Sequence, residues 1–144
     1  MAGNILQNAS SIASLMGTEL NSLVNGTFAT ASAAYDNTPA TLGAMTGDFE
    51  LVLATGTNMT ANNACDLYLI PALDGTNYVD VTGPPPGCFV GSFIVQATTA
   101  GRYALLGVRL PPTNFKAYLK NGSGVNLSSS GSTLKMVPGY SKYT

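Results

Sequence analysis

Asp48 and Glu50, in the stretch DFELVLATG, stand two residues apart, which in a strand places both carboxylates on one face. Paired carboxylates are the working groups of glycosidases, one giving a proton while the other attacks or activates water. That chemistry needs a cleft, and the simpler reading of the pair is a solvated strand face. Asp74, Asn77 and Asp80, in DGTNYVD, offer the oxygen ligands of a calcium loop. The EF-hand spacing and its closing Glu are missing, and a tight turn accounts for Asp74-Gly75.

The remaining chemistry is thin. The chain has no histidine, so His-dependent nucleophilic catalysis is excluded. Two cysteines, Cys65 and Cys88, cannot supply a zinc site, and no Gly-rich stretch has nucleotide-loop spacing. The expectation is a protein without catalytic residues, metal or cofactor. The cysteines are expected to be buried free thiols, close neighbours in space, in a reducing compartment. Seven tyrosines and five phenylalanines could build a sugar platform. Such platforms usually rely on Trp, which is absent, and Tyr35, Tyr68, Tyr78, Tyr103 and Tyr118 fall on different segments where sheet packing accounts for them.

These residues must be positioned by strands. DFELVLATG alternates Phe49, Leu51 and Leu53 against Asp48, Glu50 and Val52. ACDLYLIPAL alternates Leu67 and Leu69 against Asp66, Tyr68 and Ile70. RYALLGVRL predicts Ala104, Leu106, Val108 and Leu110 inward, and CFVGSFIVQA reads as buried on both faces. FKAYLK turns Phe115, Ala117 and Leu119 inward and Lys116, Tyr118 and Lys120 outward; STLKMV puts Leu134 and Met136 on one side. TFATASAAYDNT is a further small-residue strand. Turn signals between these runs and the lack of long helical patterns predict an all-β, antiparallel β-sandwich, jelly-roll-like, with about eight strands. Residues 1–17 read as an extended N-terminal arm before a sandwich domain at 18–144. The arm carries Ile5, Leu6, Ile12, Leu15 and Met16 and no charge, so it is expected to bury these side chains on a neighbour; folding back into its own sandwich is the alternative.

Only 9% of the residues are charged, against ~25% in an average domain, and the net charge is -1. Such a surface is poorly defended against association, which favours a protein covered by partners. All acidic residues precede Arg102, and all basic residues lie from Arg102 onward. That segregation predicts attraction in space, within or between chains. No basic cluster points to nucleic acid. No apolar run is long enough to span a bilayer, and the start lacks a signal-peptide pattern, so the chain is expected to act without export.

The phrases TELNSLVNG, YLIPALDGTNY and VGSFIVQATTAGRYALLGVRLPPTNFKAYLKNGSGVNLSSSGSTLKM together resemble small virion structural proteins of tailed phages, some of them capsid decoration, or cement, proteins. The likeness runs over residues 18–136 and rests on the order of a DGTNY turn, a GSF strand, an LPP break, an FK-x-x-LKNG hairpin and an SGSTLK strand. It implies a non-enzymatic oligomeric β-sandwich on the virion, at the capsid surface, assembled in the host cytoplasm. The implied partners are the major capsid protein and further copies of itself, a trimer being one such order, with no membrane and no nucleic acid. A tail or baseplate protein and a receptor- or carbohydrate-binding module are the alternatives. Residues 1–17 do not match the pattern. Arm residues Ile5, Leu6, Ile12, Leu15 and Met16, with Lys116, Tyr118 and Lys120, are the candidate partner contacts.

Overall fold

Antiparallel pairing between distant parts of the chain organises the protein. The computed structural model describes residues 5–9, 11–38, 43–79 and 83–143. Its strands are β1 (Ile5–Ala9), β2 (Ala13–Met16), β3 (Thr46–Ala54), β4 (Ala64–Pro71), β5 (Phe89–Ile94), β6 (Ala100–Arg109), β7 (Phe115–Lys120) and β8 (Thr133–Tyr143). They form two antiparallel sheets. The larger runs β1-β8-β3-β6, with β2 also on β8, and the smaller runs β5-β4-β7. The free edge of β7 is covered by residues 27–35: the N–H groups of Ala29, Ser32 and Tyr35 donate to the carbonyls of Leu119, Ala117 and Phe115. This segment advances three residues for every two on β7, and the Ser32 hydroxyl accepts the Ala117 N–H at 2.8 Å in place of a backbone carbonyl. Its Ala- and Ser-rich composition therefore gives an irregular edge rather than the regular strand expected.

The sheets face each other across one apolar core. Phe49, Leu51 and Leu53 from β3, Cys65, Leu67 and Leu69 from β4, Phe115, Ala117 and Leu119 from β7, and Leu134 and Met136 from β8 are all buried there. The architecture is an all-β antiparallel sandwich, and on these four strands the alternation places the inner faces as expected. Burying each large aliphatic or aromatic side chain contributes about 1.5–3 kcal/mol before ordering costs.

On β6 the expected faces are reversed. Leu106 is 75% exposed, while Tyr103 and Leu105 pack against the core. The cause is a β-bulge. Gly47 pairs with Val108 and Phe49 with Leu105, so Asp48 alone stands opposite Leu106 and Gly107. Gly107 has φ +65°, which an L side chain resists, and this turns the strand over. Val108 and Leu110 do point inward.

The described residues of the N-terminal arm are part of the sandwich. β1 pairs with β8 from Ile5 opposite Tyr143 to Ala9 opposite Gly139, and β2 continues along it with Ala13 opposite Met136. Leu15 and Met16 are buried in the chain's own core, Met16 at 1% exposure. The expectation of an arm laid on a neighbour is corrected: β8 would otherwise leave a whole row of backbone groups unpaired, and β2 satisfies part of it. Among the large apolar side chains described in the arm, Ile12 is the exposed one.

Polar side chains pin the turns. Asn121, fully buried, donates to the carbonyls of Leu23 and Val125 and accepts from the N–H and hydroxyl of Ser123. Gly122 follows it so close to the Ala64 carbonyl that a Cβ would collide.

Candidate contact surface

The outer face of the smaller sheet is built by the alternate residues of three strands. Across β5, β4 and β7, Ser92, Asp66 and Lys120 form one row in register. Phe89, Tyr68 and Tyr118 form the next. Phe28 is bridged to Lys120, in the register of the first row, and its ring reaches back across β7 to the second. Its ring meets Tyr68 edge-on at 5.5 Å, and Tyr68 meets Phe89 edge-on at 5.6 Å. Phe28 is 38% exposed and Phe89 48%. An antiparallel sheet facing water normally shows polar residues there, so a half-exposed aromatic row marks a contact surface.

The sequence placed the tyrosines on separate segments. Folding brings Tyr68 and Tyr118 directly opposite each other, and Tyr78 joins the same face through Lys116, whose Nζ lies 4.4 Å from the Tyr78 ring. The prediction for β5, burial on both faces, fails: Phe89 and Ile94 are exposed. Among the described residues β5 pairs only with β4, at the edge of the smaller sheet. No local signal in FVGSFI distinguishes a covered from an uncovered outer face.

The candidate partner contacts are thereby redistributed. Lys116, Tyr118 and Lys120 do sit on the outer face, but Tyr118 is 8% exposed and Ile70 beside it is fully buried, both outside the central core. The Lys116–Tyr78 contact shows that the excursion after β4 folds over this end of the sheet. Lys120 holds its Nζ 5.7 Å from the Phe28 ring. Among the described residues neither lysine has a carboxylate partner. Ile5 and Leu6 lie in β1, opposite Tyr143 and Lys142, and Leu15 and Met16 are core.

The residues with catalytic potential are committed elsewhere. Asp48 Oδ1 accepts the Gly107 N–H at 2.7 Å, and Glu50 pairs with Arg102 at 2.9 Å. Asp74 accepts the N–H groups of Thr76 and Asn77, at 2.9 and 2.7 Å, and the Asn77 side-chain amide at 2.8 Å. Those hydrogen bonds hold its carboxyl down to about 2. The Asp74 carboxylate therefore closes a turn, and Asp80 lies outside the described residues. No group of acidic or sulfur ligands able to hold a metal is found among the described residues.

Cys65 and Cys88 are both free. Burial pushes the Cys65 thiol up to about 11 and raises Cys88 as well. They are not neighbours as expected. Cys65 pairs with Phe93 while Tyr68 pairs with Phe89, so Cys88, one residue before Phe89, lies beyond the position opposite Tyr68, more than about 10 Å from Cys65.

The charge segregation resolves inside the fold. The central strands β3 and β4 carry Asp48, Glu50 and Asp66, and the flanking strands carry the basic residues. Glu50 faces Lys135 and Asp66 faces Lys120 in register, and Arg102 reaches Glu50. No protein-family model, no curated protein and no solved structure matches this chain.

Proposed function

We propose that the chain is a non-enzymatic virion structural protein of a tailed phage, a capsid decoration protein that binds across major capsid protein subunits and reinforces the head. The observation that carries the reading is the nesting of its pairings. The interrupted first strand lies on β8, residues 27–35 on β7, β3 on β6, and β4 on β5. Such nesting is what one long antiparallel hairpin rolled into two sheets would give, and it supports reading the sandwich as jelly-roll-like, an arrangement used by viral capsid and lectin domains. The resemblance of residues 18–136 to phage virion proteins supports the same class. The commitment of Asp48, Glu50 and Asp74 to structural contacts favours binding over turnover.

Many copies on a symmetric shell let a weak contact act through its multiplicity. The test is addition of the purified protein to genome-filled heads that lack it. Sedimentation with heads at a lattice stoichiometry, and a rise in the temperature at which heads release DNA, support the reading. Recovery with isolated tails instead would assign it to the tail or baseplate.

A further inference from the structure

We infer that the uncovered end of the smaller sheet's outer face is a binding site for a neutral glycan, an activity beyond the capsid role. Two chemically different rows lie side by side there. Ser92, Asp66 and Lys120 make a polar row, Phe89 and Tyr68 begin an aromatic one, and Phe28, bridged to Lys120, brings its ring across to Tyr68. On one strand face successive residues are about 6.8 Å apart, so a single sugar unit reaches both rows. A sugar presents the matching pair of surfaces: an apolar C–H face that stacks on rings, and an edge of hydroxyls that both donate and accept.

The polar row is partly unfilled. Asp66 Oδ1 accepts the Ser92 hydroxyl at 2.6 Å, and its other oxygen has no hydrogen bond among the described residues. Lys120 keeps its ammonium over the Phe28 ring, with no carboxylate of the described residues within ion-pair distance. Donors and acceptors therefore both face the ligand.

Charge selects the ligand class. Asp66 and Lys120 stand opposite each other in register and cancel, which favours a neutral polyhydroxyl ligand. A nucleic acid or sulfated chain would set its anions beside Asp66, at the centre of the row. The edge-on contacts among Phe28, Tyr68 and Phe89 fix the rings before binding, so little order is lost when a sugar stacks.

The experiment is native gel electrophoresis of the purified full chain through gels containing dextran, mannan or laminarin, with heparin as the polyanion control. Retardation is expected in at least one neutral gel. Phe89→Ala and Asp66→Asn, checked for an unchanged thermal melt, should each weaken it about tenfold, the effect of losing one well-placed contact. Lys135→Ala, on the other sheet, should leave it unchanged. If Phe89→Ala fails to fold, Phe28→Ala takes its place. Absence of retardation in all three neutral gels overturns the proposal, as does retardation that these variants do not alter. Retardation in heparin alone makes the face a polyanion surface and overturns it too. Self-association abolished by Phe89→Ala, without sugar retardation, assigns the face to a second copy. Head binding is measured separately, so either reading can fail while the other stands.

Discussion

The carboxylate of Asp48 accepts the backbone N–H of Gly107 at 2.7 Å, across the point where β3 and β6 slip register. A residue whose type and spacing suggested acid–base chemistry instead secures a bulge. Asp48→Ala should cost about 1 kcal/mol, while Asp48→Asn, which keeps an acceptor oxygen, should cost less. Gly107→Ala should cost about as much as Asp48→Ala through its positive φ, since no atom crowds the added methyl. Chemical denaturation of the three variants checks the order, and an equal loss for Asp48→Asn and Asp48→Ala would show that the hydrogen bond is not the cause.

Asp74 gives the protein an acid-sensitive turn. Its carboxyl lies near 2 when folded, against an ordinary 3.8, so the turn's contribution is complete above about pH 4 and is lost as pH falls through 2. Melting temperature measured from pH 5 to pH 1.5 should decline, and Asp74→Ala should show a shallower decline over that window. Identical profiles would mean that the hydrogen bonds from Thr76 and Asn77 do not persist in solution.

The cysteines should behave as two separate thiols. Thermal melts with and without reductant should coincide; a drop of about 5 °C on reduction, the scale of 1–2 kcal/mol, would reveal a bridge. Under native conditions an alkylating reagent should modify half-buried Cys88 well before Cys65, whose thiol burial lifts to about 11.

Removing residues 2–16 should abolish the cooperative melt, because β8 loses the strands on one of its two sides and the core loses Leu15 and Met16. Met16→Ala alone should cost about 2–5 kcal/mol. A truncated chain that folds with unchanged stability would return these residues to the role of a free arm.

How much of this was legible in the sequence depended on whether a feature was local. The faces of β3, β7 and β8 follow from alternation alone, because Phe49, Phe115 and Leu134 each begin an unbroken period-two run. On β6 one glycine inverts the pattern, and the partner that stabilises the inversion, Asp48, is 59 residues away. The aromatic row was invisible for the same reason. Phe28, Tyr68 and Phe89 come from three separate segments, and only the register of β4 with β5 and the bridge at Lys120 assemble them. The arm was misread because Ile5 to Met16 shows no clean period, and its place is set by β8 at the opposite end of the chain.

The pairing of first strand with last also bears on how the molecule is made. Ala13 and Met16 leave the ribosome long before their partners at Met136 and Leu134 exist. Until then an uncharged, apolar amino-terminal segment waits without its strand partner, and the nested pairings form only from the innermost hairpin outward or all at once. Such high contact order slows folding to the millisecond-to-second range. The nascent chain is therefore a natural client for a chaperone that holds exposed apolar segments, and rapid overproduction should favour inclusion bodies over folded protein.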